Sequence, residues 1–398
     1  MKKSDLPVIT LKPGRENSLY RFHPWVFSGA IQNKPSDAEE GDIVELRSHR
    51  GELLGKGFYL NADIAVKVFE FRDMTIDRDY WFRKFKMAFD FRTQLGLTRN
   101  PTTTMYRLIH SEGDGIPGLI ADYYNKTVVL QGSHAGIFRL REMFASILTE
   151  LYQNDLNVIY DKSDHLVKKS SVEHVVDPCL YGIPLSTNAS ENGVHFMIDY
   201  IKGQKTGFFI DQRENRKILG QFCKGKMVLN TFSYTGGFSM YALENQAEKV
   251  VSVDVSGQAM ELLDENLRLN GFDPARHDAV VEDVKVYLND LTPGEFDIII
   301  LDPPAFAKSH KVSHNALQGY KYINRLAISK IKDNGLIFTF SCSQAIDRAM
   351  FRSMVQSAAI EAGRNVRVIG SLSQGPDHPV SIFHPEGEYL KGLIIQVN

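Results

Sequence analysis

The 398-residue chain is long enough for two or three domains, each able to bury its own core. Its 43% hydrophobic and 24% charged residues suit a soluble globular protein, and a formal net charge of -2 excludes a global basic field for holding nucleic acid. Three widely spaced cysteines, Cys179, Cys223 and Cys342, suggest neither a disulfide framework nor a zinc site and fit a reducing compartment.

Met1-Lys2-Lys3-Ser4-Asp5 leads into no apolar signal core, and no run of about 18 apolar residues reads as membrane-spanning. The expected location is cytoplasmic, with no membrane partner and no metal. Residues 1–73 alternate in short strands, Ile43–Leu46, Leu53–Leu60 and Ile64–Phe71, with turn signals between them. That is the pattern of a small β-barrel. Trp25 and Phe27 read as core rather than as base-stacking platforms. Residues 74–190 follow as a small α/β segment. It has a helix over Asp79–Leu95, two strands joined by a Gly-rich turn over Tyr106–Asp122, a strand at Thr127–Gln131, a helix over Phe138–Tyr152 and a strand at Val158–Tyr160. Arg83, Lys84, Lys86 and Arg92 read as a solvated face of the first helix. No catalytic set is visible in this segment.

The polar run Ser186–Gly193 marks the boundary into a third domain, residues 191–398. There a Gly turn precedes a helix whose first turn holds Asp211 and Arg213. Those residues either form a plain acidic helix start or place Arg213 near a ligand carboxylate, with Asp211 in the same pocket. Met227–Phe238 then reads as a buried strand, a Gly-containing loop and a helix to about Glu244, followed by a strand over Val250–Asp254. In a doubly wound sheet a ligand sits where the first strand's carboxyl end meets the next helix. Gly236 and Gly237 let the backbone come close to it, and Asp254 is placed to accept hydrogen bonds from a ribose. Neither G-x-G-x-x-G nor a phosphate loop is present, so a nucleoside without phosphates fits better. S-adenosylmethionine (SAM) is the common one.

Alternating strands and helices continue, implying a parallel sheet. Asp283 stands at the carboxyl end of the strand read over Ala279–Val284, where it could accept a hydrogen bond from an adenine amine. Phe296–Leu301 is a buried strand ending in Asp302-Pro303-Pro304, whose prolines make a rigid turn. Such a turn could hold a flat base against Asp302 and Phe306, or simply end the strand. Pro303–Lys332 carries Lys308, Lys311, Lys321, Arg325, Lys330 and Lys332 and no acidic residue, which suits a polyanion or a solvated helix face. Gly335–Gln344 reads as the next strand, with Cys342 just past its apolar run. A buried inert thiol is the ordinary case. A thiolate there could instead attack carbon 6 of a pyrimidine and make carbon 5 enamine-like, able to take a methyl group.

At these residues the chain resembles the SAM-dependent ribosomal RNA cytosine-5 methyltransferases of the large-subunit methyltransferase I family. The stretches that carry the likeness span nearly the whole chain. They include His23–Ala30 with Gly41–Val44 and Gly55–Tyr59, which resemble a PUA domain, an RNA-binding module. Glu112–Leu119, Thr206–Arg213, Asp302–Phe306, Ser341–Ser343, Pro376–Pro379 and Pro385–Gly392 complete the series. The resemblance implies a class I methyltransferase (Rossmann-like) C-terminal domain behind a PUA-like β-barrel and a small central α/β domain. It implies SAM held by Phe209, Asp211, Arg213, Asn230, Phe232, Tyr234, Thr235, Gly236, Gly237, Asp254, Asp283 and Asp302. Pro303, Pro304, Phe306 and Lys308 would meet the ribosomal RNA base, with Cys342 as nucleophile and Asp302 as a candidate base. Pro304-Ala305-Phe306 lacks the second cysteine that many RNA cytosine-5 methyltransferases carry there. Two alternatives stay open: a guanine N7 methyltransferase, and a non-catalytic RNA-binding ribosome-assembly factor. The oligomeric state, a homodimer included, is also open.

Overall fold

A computed structural model describes residues 6–163, 177–306 and 313–398. The chain divides into two compact units. The first is Met1–Thr187 with Ile198–Phe208 and Pro376–Gly387; the second is Asn188–Met197 with Phe209–Gly375 and Glu388–Asn398.

In the first unit, β1 (Val8–Leu11), β2 (Trp25–Phe27), β3 (Ile31–Asn33), β4 (Ile43–Arg47), β5 (Leu53–Tyr59) and β6 (Ile64–Glu70) form one sheet, ordered β2-β6-β5-β4-β1-β3. Alternation sends Val44 and Leu46 to a core with Ile9, Leu11, Val66 and Val68. The strand β5 is buried on both faces, so Phe58 enters a different core with Phe69, Trp81, Phe85 and Phe144. The barrel segment and the α/β segment therefore share apolar packing. Phe27 is 53% exposed and Trp25 half-buried, so neither is the core residue expected. The strand β2 at the end of this ladder leaves one of its faces open.

A second sheet holds β7 (Met105–His110), β8 (Leu119–Tyr124), β9 (Thr127–Gly132), β10 (Val158–Asp161) and β11 (Cys179–Tyr181) in the order β11-β10-β9-β8-β7. Arg92 is fully buried, not solvated. Its guanidinium donates to both carboxylate oxygens of Asp114 and to the carbonyl of Asp377. The Asp377 carboxylate in turn accepts from the Arg107 amide at 3.0 Å. Gly113 is required where this tail returns, because a Cβ there would stand 1.9 Å from the Pro379 carbonyl oxygen. The motifs Glu112–Leu119 and Pro376–Pro379 thus meet as structure.

The polar run expected to be a boundary loop is largely strand. β12 (Thr187–Glu191) and β13 (Val194–Ile198) form a hairpin turned by Asn192 at φ 52° and Gly193 at φ 86°. Two consecutive positive φ angles give the tight turn that matches strand twist.

The remaining strands are β14 (Met227–Thr231), β15 (Lys249–Asp254), β16 (His277–Val281), β17 (Ile298–Leu301), β18 (Gly335–Ser341), β19 (Val366–Ser373) and β20 (Lys391–Val397). They form one seven-stranded sheet, ordered β16-β15-β14-β17-β18-β20-β19. The first five are parallel, and β20 runs antiparallel to both β18 and β19. The central strands are buried on both faces, which is why Ile298–Leu301 reads as an unbroken apolar run. Leu229, Val253, Ile299, Leu301 and Ile337 pack under Tyr320, Ile323 and Ala327 of the helix Ser313–Lys330.

Glu191 and Arg216 are an almost completely buried, bidentate pair, with both contacts at 2.7 Å. Arg216 also donates to the Phe209 carbonyl at 3.0 Å, so the pair ties the hairpin to the helix Arg213–Gly220 and its entry loop. Removing one partner of a buried pair leaves an uncompensated charge. Glu191→Ala is therefore expected to destabilise the protein by roughly 3–5 kcal/mol, measured by chemical denaturation. An unchanged unfolding midpoint would show that the pair contributes nothing net.

Candidate functional site

Parallel strands deliver their carboxyl ends to one edge, and the connecting loops gather there. At that edge stand the loop after β14, Asp254 ending β15, Asp302 after β17 and Cys342 after β18.

The loop after β14 is held in an uncommon shape. Phe232 has φ 53° and Tyr234 φ 47°, left-handed values that bulky residues rarely adopt. Strain of this kind tends to collect at functional sites. It is fixed from below by the Asp254 carboxylate, which accepts from the amides of Tyr234 at 2.9 Å and Ser256 at 3.0 Å. Gly236, at φ 81°, caps the helix Gly237–Glu244; a Cβ there would approach Leu263 Cγ to 2.8 Å. Thr235 is pinned through its carbonyl, which accepts from Asn266 at 2.9 Å. Asn230 begins a buried polar chain through Ser239 and Ser252 to His277, with links of 2.8, 2.6 and 2.8 Å. Burial holds that histidine neutral, pushing it down to about 4.

Phe209 packs edge-on against Tyr234, with ring centroids 5.3 Å apart. Asp211 accepts from the Tyr389 hydroxyl at 2.7 Å. Arg213 is buried and bonded to Glu214 at 3.0 Å. Asp283 lies two residues past β16 as the cap of the helix Val284–Asp290, where its carboxylate accepts from Lys285 and Val286 amides.

Asp302 is desolvated, and together with the nearby Asp211 carboxylate this pushes its carboxyl up to about 7. Gln212 donates to it at 2.9 Å, partly opposing that rise. Gln212 is itself held by Asn215, whose amide also bonds the Ser373 carbonyl. Sequence alone did not single out this Gln212–Asn215 brace. Its signal was the position of Gln212 between Asp211 and Arg213.

Pro303 is buried, Pro304 exposed and Phe306 half-buried, with the Phe306 ring 4.6 Å from that of Tyr320. Cys342 is half-buried and takes part in no disulfide. Beside it the Tyr320 hydroxyl meets Ser343 Oγ at 3.1 Å, and Lys391 Nζ donates to the Ser343 carbonyl at 2.6 Å. Neither Tyr320 nor Lys391 stood out from sequence, because a mid-helix tyrosine and a lysine opening a strand look ordinary. Lys308, Lys311 and His310 lie outside the described residues. The rest of the expected basic strip is largely engaged. Lys321 pairs with Glu361 at 2.8 Å, Lys332 with Asp297 at 3.1 Å, and Lys330 bonds two carbonyls.

Whether these residues suit a nucleoside can be tested on their unmet polar atoms. Among the described residues Asn230 Oδ1 and Asp211 Oδ1 are buried without a hydrogen-bond partner. An orphaned acceptor costs about 1–3 kcal/mol, which donors on a bound ribose or amino-acid group would offset after small side-chain adjustments. These unmet acceptors fit the hydroxyl and amine donors of SAM. Among the described residues no group of three or more His, Cys, Asp or Glu side chains is arranged to hold a metal ion, and no helix is long and apolar enough to cross a membrane.

Comparison with known proteins agrees with this geometry. Residues 160–381 match the family of S-adenosylmethionine-dependent methyltransferases, and residues 9–71 match a PUA-like domain. A chain from Streptococcus mutans described as a SAM-dependent methyltransferase has the same fold. Its TM-score is 0.83 at 24% identity, over 98% of this chain and 99% of that one. A second solved methyltransferase, complexed with SAH, matches with the same figures, a TM-score of 0.83 and 24% identity. "Ribosomal RNA large subunit methyltransferase I" of Aeromonas hydrophila is 38% identical over 98% of both chains. Its counterpart in Pseudoalteromonas atlantica is 40% identical over 98% of this chain and 99% of that one. The strand order, the loop after β14 and these full-length likenesses together make this chain a SAM-dependent methyltransferase, a member of the ribosomal RNA large subunit methyltransferase I family.

Proposed function

We propose that this enzyme methylates carbon 5 of a cytidine in large-subunit ribosomal RNA through a covalent adduct to Cys342. The RNA class comes from the names of its relatives. The observation that carries the chemistry is a half-buried cysteine, in no disulfide, just past β18 on the strand-end edge that also bears Asp254 and Asp302. SAM supplies an electrophilic methyl group when bound. A guanine nitrogen can take that group directly and has no use for a cysteine, whereas cytosine carbon 5 needs activation.

The chain's own residues would divide the work as follows. The loop Asn230–Gly237 with Phe209, Asp211, Arg213, Asp254 and Asp283 holds the cofactor. Pro303, Pro304 and Phe306 border the base. The Cys342 thiolate forms a bond to carbon 6, and the electron pair moves to carbon 5, which then takes the methyl group. Asp302 accepts the carbon 5 proton. The pair from that C–H bond restores the ring double bond and expels the thiolate. The working domains are 1–73, 74–190 and 191–398, with the PUA-like segment adding RNA affinity.

Three outcomes follow. Asp254→Ala should weaken SAM binding by roughly 1–3 kcal/mol, because it loses a charged acceptor and releases the Tyr234 amide; calorimetry reads this directly, and an unchanged affinity in a folded variant removes Asp254 from the site. RNA carrying 5-fluorocytidine should trap an enzyme–RNA adduct in the presence of SAM, seen on denaturing gels. Cys342→Ala should give neither adduct nor product, while Cys179→Ala and Cys223→Ala stay active. Methylation by the Cys342→Ala enzyme, or a methylated guanine, would sink the mechanism.

The pH dependence tests the base. A carboxyl raised to about 7 is protonated below that pH and unable to accept a proton. Product release should therefore speed up as pH rises through about 7, and Asp302→Asn should accumulate adduct even on ordinary cytidine. Rapid release by Asp302→Asn would assign the base elsewhere.

A further inference from the structure

We propose that Lys391 is a positioning residue that holds Cys342 as a thiolate ready to attack; this rests on the nucleophilic role proposed for Cys342. Lys391 opens β20 directly opposite Ser341 at the end of β18. Its amine then reaches to the Ser343 carbonyl at 2.6 Å, so the lysine meets the residues on either side of Cys342 along the chain.

The argument starts from charge. Lys391 is 3% exposed, and no carboxylate among the described residues lies within ion-pair distance of its amine. A buried ammonium with one carbonyl acceptor is under-compensated, since buried charges are normally paired. The charged groups around it are accounted for. Glu388 is bound to Arg348 at 2.6 Å, and Asp347 caps the helix Arg348–Ala362 through the Met350 amide at 2.7 Å. Tyr320 faces the same turn, but it is a phenol whose proton is held more tightly than usual by burial. Cys342 is the remaining neighbour able to carry a negative charge. Burial lowers Lys391 to about 8, while Cys342 acts in the opposite direction and favours the charged amine. At neutral pH the lysine is therefore still mostly a cation, and a cation beside a thiol lowers its pKa. The thiol proton leaves to water before the bond to carbon 6 forms, so the lysine keeps its own.

The test needs no RNA. Alkylation of Cys342 by iodoacetamide, located by peptide mass mapping, is followed from pH 6 to 10 in the full-length protein. The wild-type midpoint is expected below the ordinary thiol value of about 8.5. Lys391→Met, which fills the same space without charge, should raise it by about one unit and slow alkylation at pH 7 several-fold. Lys391→Arg should restore most of the shift, and Cys179 should be unaffected throughout. A wild-type midpoint at or above the ordinary value overturns the proposal, even if the Met variant fails to fold. So does an unchanged midpoint in Lys391→Met; weakened RNA binding alongside it would assign the lysine to a phosphate. Because alkylation is read separately from the 5-fluorocytidine adduct, failure of this role and failure of the cysteine mechanism can be told apart.

Discussion

The grip of the Asp254 carboxylate on two backbone amides is the contact from which the cofactor edge is built. Left-handed backbone at Phe232 and Tyr234 costs on the order of 1–3 kcal/mol per residue. No ordinary strand–helix turn would accept that twice. The Tyr234 amide, however, donates to Asp254 on the neighbouring strand, a charge-assisted bond stronger than a neutral one. The same carboxylate takes the Ser256 amide, which starts the next helix. One side chain thus sets the path of two loops. Gly236 then has to be glycine because Leu263 of that next helix lies where a Cβ would go.

Desolvation acts at two places along this strand-end edge and has opposite effects on acid and base. Asp302 is pushed up to about 7 and Lys391 down to about 8, each chiefly by burial. Glu112 in the other unit is also buried, yet its carboxyl is drawn down to about 2. There Lys67 and the donors Ser111 and Trp25 overcome the same desolvation. Among the described residues Asp302 has the Gln212 amide and the charge of Arg216 against a second carboxylate, Asp211. The difference lies in partners, not depth. Groups poised near neutrality at a strand-end edge are those able to exchange protons under working conditions.

Much of this was legible in the sequence. The apolar run Ile298–Leu301, the loop Thr231–Gly237 and the carboxylate of Asp254 sit where periodicity and glycine placement put them, because a fully buried parallel strand leaves few alternatives. Other features depended on distant partners. Arg92 looked like a surface cation until Asp114 and Asp377 came to it from elsewhere in the chain. Ser186–Gly193 looked like a linker because the inward side of β12 is polar, and only Arg216 makes Glu191 a buried residue. Phe27 looked apolar enough for a core, but its place on the end strand of the ladder decided its exposure. Gln212 and Lys391 gain meaning only from Asp302 and Ser343, far away in sequence.

The three cysteines show how position rather than identity sets reactivity. Cys223 is fully buried, bonded to the Leu219 carbonyl, and its thiol is pushed up to about 12, so it packs as a small apolar group. Cys179 sits on the end strand β11 with its sulfur turned to the Tyr181 and Gly182 carbonyls and its pKa raised. Among the described residues neither has a cation acting on its thiol. Cys342 alone follows a central strand of the parallel sheet and has a buried lysine beside it. Under the proposed mechanism the strand end presents the thiol to the base, and the antiparallel strand that carries Lys391 supplies its counter-charge. The fold's one reversed strand within the parallel sheet, β20, thereby has a chemical consequence as well as a topological one.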